Sequence, residues 1–164
     1  MKTHIVLHAL LLSGLFASLR AEVHQSNEDL SHEIQAAAAV LQEDSAAEGQ
    51  VQRALLRLLD VSILVLPKSE QAGDVRKSLE EARAEFKDHS PLSDDAYQHL
   101  ARAYRVLNGG KDFQFPRADS FEEAGARIQD LLAAAIMSLK QNNEGPTCRL
   151  LLESVLMIIT PIPK

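Results

Sequence analysis

Histidine and carboxylate side chains occur at one-turn spacing in two places in this sequence. His24, Glu28 and His32 recur every four residues, and Asp95 precedes His99 by four. Residues four apart share one face of an α-helix, and imidazole and carboxylate groups are common ligands of divalent metals. These five residues are therefore candidate metal ligands. The alternative is that they form solvated, charged surfaces, with Asp95 at the start of a helix, where the helix dipole favours a negative charge.

No motif in the sequence assembles a catalytic site of a familiar kind. The segment His-Glu-Ile-Gln-Ala at 32–36 begins like the helix of a zinc protease but lacks the second histidine one turn on. Gly-x-Ser-x-Gly, glycine-rich phosphate loops and Cys-x-x-Cys-His are absent from the sequence. A non-covalent haem would need axial ligands such as His99 with Met137 or Met157. We therefore predict a non-enzymatic protein without a cofactor, with a small metal- or cofactor-binding bundle as the alternative.

Two aromatic residues alternate with polar ones in the irregular segment 109–119. Phe113 and Phe115 stand there just before Pro116. Their rings could close one end of a helical bundle, which is a structural role. They could equally form a recognition loop that presents two aromatic rings to a protein or peptide partner.

Arg53 and Arg149 each stand at the beginning of a strongly apolar segment, and the two segments are 96 residues apart in the sequence. Their aliphatic stems could cover the core while the guanidinium groups pair with Glu48 and Glu144 or reach water. The alternative is a paired anion site.

Cys148 is the single cysteine, so no intrachain disulfide can form, and we predict that its thiol is a small buried hydrophobic group.

The first 21 residues have the pattern of a cleavable signal peptide. A basic start is followed by an apolar run over residues 5–16 and by Ala21 before an acidic residue. The run is shorter than the roughly 20 residues that span a bilayer. We expect a single exported domain over residues 22–164, periplasmic or secreted, with no stable membrane span.

The charge of the mature chain limits its partners. Removing the signal peptide takes away Lys2 and Arg20, which leaves 15 basic residues against 23 acidic ones and a net charge of −8. An acidic surface repels phosphate backbones and lacks the basic stripe of nucleic-acid-binding proteins. We therefore predict no nucleic-acid binding, and a protein or peptide of unknown identity as the partner.

The elements that must position these residues are helical, because good helix formers dominate the sequence. We predict an all-α bundle of five or six helices built from antiparallel hairpins. The third helix carries a narrow apolar stripe and should lie on the surface. The predicted helices cover about 27–43, 47–66 and 70–88, then a fourth capped by Ser93 that ends at Asn108, a fifth opened by a Ser120–Glu123 capping box, and a sixth over about 146–160.

An internal repeat underlies the two most apolar helices. Residues 37–68 align with residues 133–164 without a gap, and 11 of the 32 positions are identical. We interpret this as a possible duplication of a helical hairpin, about 27–68 and 123–164. Its second helix, apolar nearly all round, should lie in the core beside the other copy, and the hairpin of the third and fourth helices should cover them.

A second repeat type is suggested by two short segments. Residues 96–104, Ala-Tyr-Gln-His-Leu-Ala-Arg-Ala-Tyr, resemble the first helix of a tetratricopeptide repeat, and Phe-Glu-Glu-Ala at 121–124 resembles the start of the second. The chain departs from that motif, since about a dozen residues replace its tight turn and no period of about 34 residues follows. The resemblance implies a peptide-binding groove, but it does not assign the family.

Overall fold

Helical periodicity in the sequence corresponds to six α-helices in the computed structural model, which describes residues 26–43, 46–69, 71–88, 93–115 and 121–160. Over these ranges the chain contains no strand, and the predicted all-α class is confirmed. The predicted signal peptide and the Ser120 cap lie outside the described residues. The helices are α1 (residues 26–41), α2 (Glu48–Leu64), α3 (Ala72–Asp88), α4 (Asp94–Leu107), α5 (Phe121–Lys140) and α6 (Glu144–Ile159).

The central layer consists of α2 and α6, as their apolar composition predicts. Leu58 and Leu59 of α2 and Leu151 and Leu152 of α6 are fully buried. The two helices run antiparallel, because Cys148 at the start of α6 lies against the carbonyl of Ser62 near the end of α2. Burial of each such side chain contributes about 1.5–3 kcal/mol to stability.

The α3–α4 hairpin covers one side of the central layer. Helix α3 packs against α2, and α4 packs against α6. The predicted stripe on α3 is buried and its other faces are mainly exposed, which confirms its surface position; the stripe consists of Val75, Leu79, Ala82 and Phe86. Asp60 of α2 accepts two hydrogen bonds from the guanidinium group of Arg83 on α3.

Helices α1 and α5 form a further antiparallel pair on the central layer. The side-chain amide of Asn27 donates to the carbonyl of Leu139 at 3.2 Å, and Gln129 donates to the carbonyl of Ala38 at 3.2 Å. Glu33 of α1 reaches Arg57 of α2 at 3.6 Å.

None of the described helices is long and apolar enough to cross a membrane.

Local sequence signals fix several helix ends. Ser93 caps α4, because its hydroxyl accepts from the backbone N–H of Ala96 at 3.1 Å. After α4 the chain turns through Gly109 and Gly110 with positive φ angles of 63° and 85°, a conformation that glycine adopts without strain. Helices α2 and α6 begin at Glu48 and Glu144, which correspond in the 96-residue alignment. The duplication itself stays a prediction.

Candidate functional site

The predicted metal ligands that the structure describes lie on two helices, α1 and α4. Glu28 and His32 are exposed on α1, Asp95 is exposed on α4, and His24 lies outside the described residues. Helix α1 packs against α5 and α2, whereas α4 packs against α3 and α6. In the described part of the chain, no three His, Cys, Asp or Glu side chains are placed to hold one metal ion. Metal binding by these residues stays a prediction.

His99 instead meets a carboxylate from the neighbouring helix. Its Nδ1 atom lies 3.0 Å from Oε2 of Glu81 on α3. That nitrogen is buried, yet the ring is not oriented to make a hydrogen bond of good geometry. The contact is therefore an ion pair only when the imidazole is protonated. The contact joins the two helices of the α3–α4 hairpin, and the spacing of residues in the sequence did not reveal it.

A concave surface extends from this contact along the same two helices, and we call it the α3–α4 cleft. Its volume is about 240 Å³. Its floor is made of small side chains, since Ser78 is 3% exposed and Ala103 is fully buried. Larger residues at these two positions would fill it. The lining residues are Asp74, Lys77, Ser78, Glu81, Arg102, Ala103 and Val106.

The charges around the α3–α4 cleft are balanced but incompletely paired. Lys77 lies 4.0 Å from Glu81, and the Lys77 side chain is 76% exposed, so this pair is weak. Asp74 and Arg102 form no hydrogen bond or ion pair with any described residue. The cleft thus presents one carboxylate and one guanidinium group whose charges are available to a ligand.

The size of the α3–α4 cleft indicates what could occupy it. Sites that enclose a small ligand or cofactor usually measure about 300–1,000 Å³. A volume of about 240 Å³ suits the ends of one or two side chains better. The concave surface can therefore receive side chains from another polypeptide.

Two further clefts are smaller. One of about 210 Å³ lies where α1, α2 and α5 meet, beside Leu64, which is 69% exposed. The other, about 150 Å³, lies between α1 and α2 and includes Arg53 and Arg57. The first has an apolar floor and the second an alanine floor, and neither gathers opposite charges from two helices as the α3–α4 cleft does.

The aromatic residues after α4 form a chain of ring contacts. Phe113 meets Tyr104 edge to face with centroids 5.6 Å apart, and Phe115 meets Phe113 at 6.5 Å. Tyr104 is buried in the core, where burial raises its pKa and the charge of Glu153 raises it further. Phe113 is half-buried against the core, which favours the bundle-closing interpretation. Partner contact by Phe115 stays a prediction.

The arginines at corresponding repeat positions are far apart. The antiparallel contact between Cys148 and Ser62 places Arg149 level with the end of α2, about 12 Å along the axis from Arg53 at 1.5 Å per residue. Arg149 donates to Asn108 at 3.3 Å, and Arg53 is exposed. These positions do not favour a paired anion site.

Cys148 is fully buried, as predicted, and burial raises its pKa to about 12.

The polar residues of α3 are the part of the site that sequence analysis missed. Asp74, Lys77 and Glu81 follow one another at spacings of three and four along the edge of the apolar stripe. That spacing places them on one helix face. Which neighbour this face would meet could not be read from the sequence.

The resemblance to a tetratricopeptide repeat does not extend to the packing. Such a repeat would pair α4 with α5, whereas the described contacts of α4 are with α3 and α6, and α5 packs against α6. The chain matches no protein-family model, and no curated protein or solved structure matches it.

Proposed function

We propose that this chain is an exported, non-enzymatic binding or scaffolding module of the cell envelope that contacts a protein or peptide partner through the α3–α4 cleft. The observation that carries the proposal is the cleft itself, in which Asp74 and Arg102 offer unpaired opposite charges above a floor of small, buried side chains. Complementary charges across an interface give specificity and speed association.

The scaffold supports this role. Both helices of the cleft are fixed from below by buried residues such as Leu79 and Leu100, so the charged groups stand on a packed surface. A rigid surface loses little conformational entropy when a partner binds. The volume of about 240 Å³ fits side chains rather than an enclosed cofactor.

Site-specific photo-crosslinking in cells that naturally express the protein tests the proposal. A photoreactive amino acid replaces Lys77, at the exposed rim of the cleft, and in a separate variant it replaces Ala133, which is exposed on α5. We expect one discrete protein adduct from position 77 and none of the same mass from position 133. Equal adducts from both positions, or none from position 77, would argue against the cleft as the contact surface.

A further inference from the structure

We infer that the partner segment presents an acidic side chain to Arg102 and a basic side chain to Asp74, about one helical turn apart along the α3–α4 cleft. This inference rests on the proposed function, because it names the chemistry of the segment that would occupy the same cleft.

The register of the two helices gives the spacing. The contact of Glu81 with His99 fixes where α3 and α4 lie level with each other. Because the helices form an antiparallel hairpin, moving from this contact toward the start of α3 means moving toward the end of α4. Asp74 then lies level with Val106, four residues beyond Arg102. Four residues of helix correspond to about 6 Å.

The pairing of the other charges determines the order of charges in the ligand. Glu81 has Lys77 at 4.0 Å and, when the imidazole is protonated, the charged His99 at 3.0 Å, so both of its charge partners lie within the protein. Arg102 and Asp74 have no ion-pair partner among the described residues, and Asp74 has only the start of the α3 helix dipole beside it. Lys77 lines the cleft as well and adds positive potential to it. A ligand with the opposite order would place like charges together, which is unfavourable.

The spacing matches common backbone geometries. In an extended segment, side chains two residues apart share one face and are separated by about 6.6 Å, and in a helix side chains four apart are separated by about 6 Å. An acidic and a basic residue at either spacing could therefore meet Arg102 and Asp74 together. The volume of about 240 Å³ admits the ends of two such side chains.

Selection from a random-peptide display library on the purified protein tests the inference. We expect enriched peptides to contain an acidic and a basic residue two or four positions apart, in one constant order. The Arg102→Glu variant should bind these peptides at least about tenfold more weakly, because like charges meet. Arg76→Glu is the matched control, since it changes the same charge at an exposed position of α3 outside the cleft, and it should leave binding unchanged.

A charge-swapped protein provides the decisive comparison. The double variant Asp74→Arg, Arg102→Asp keeps the net charge, and far-ultraviolet circular dichroism checks that it is folded. It should select peptides in which the order of the two charges is reversed. The inference would be wrong if the selected peptides bind through the cleft but carry no charge pair, or if both proteins select the same peptides. Either result would leave the proposed function standing. Peptides equally sensitive to Arg76→Glu and Arg102→Glu would count against both.

Discussion

At the scale of single residues, Cys148 shows how burial sets chemistry. Its thiol is fully buried in α6, and desolvation raises its pKa from 9.0 to about 12. The unfolded chain therefore loses this proton at lower pH than the folded chain does. The contribution of the neutral thiol to stability is complete below pH 9 and is lost as pH rises toward 12.

We predict that the free energy of unfolding falls more steeply above pH 9 in the natural protein than in Cys148→Ala, by up to about 1.4 kcal/mol per pH unit. Chemical denaturation at several pH values measures the difference. Comparison with the variant removes the contributions of Tyr104 and other groups that titrate in the same range. Parallel pH profiles for the two proteins would show that the thiol is accessible to water in the folded state.

Phe113 is the residue whose role is most directly tested by stability. Because it is half-buried and meets Tyr104 edge to face, Phe113→Ala should lower the free energy of unfolding by about 2 kcal/mol. Phe115→Ala, which removes a ring that contacts Phe113, should cost less. Urea denaturation measures both. A loss of binding with unchanged stability in Phe113→Ala would favour the recognition-loop interpretation instead.

At the scale of elements, α4 depends on its first turn. Ser93 accepts a hydrogen bond from Ala96, and Asp94 and Asp95 lie where the helix dipole favours negative charge. Ser93→Ala should lower the free energy of unfolding by about 1 kcal/mol, and Ser93→Asn should have little effect because asparagine caps equally well. Thermal denaturation compares them. Equal destabilisation by both substitutions would mean that the cap contributes nothing specific.

At the scale of the whole molecule, the central layer of α2 and α6 connects the α3–α4 hairpin to the rest of the bundle. Helix α4 contains both tyrosines of the sequence, Tyr97 and Tyr104, and the sequence has no tryptophan, so intrinsic fluorescence reports on α4. Because α4 packs directly on α6, its unfolding in urea should coincide with the loss of total helix measured by circular dichroism. An earlier fluorescence transition would show that the α3–α4 hairpin unfolds separately.

Export is the other expectation at this scale. The signal-peptide pattern predicts that the mature protein begins at Glu22. Mass spectrometry of the protein from the envelope or medium of expressing cells measures its first residue. An intact Met1 on the protein recovered from cells would contradict cleavage and would remove export from the proposed function.

Local physical rules determined the secondary structure of this protein from its sequence. Helix propensity, the apolar stripe on α3, the cap at Ser93 and the nearly all-round apolar character of much of α2 and α6 each depend on residues within a few turns. These signals predicted the all-α class, a bundle of five or six helices and the central α2–α6 layer. Helix boundaries differed from prediction by a few residues, because terminal turns gain or lose only one or two hydrogen bonds.

Tertiary packing decided the rest, because a side chain on a helix edge cannot specify from sequence alone which neighbour it will meet. The sequence grouped His99 with Asp95, one turn away on the same helix, as candidate metal ligands, but the close contact of His99 is with Glu81 on α3. The α3–α4 cleft exists because two small residues, Ser78 and Ala103, face each other across an antiparallel pair. The register between the helices depends on long-range burial, and it alone brings Asp74 and Arg102 to one surface.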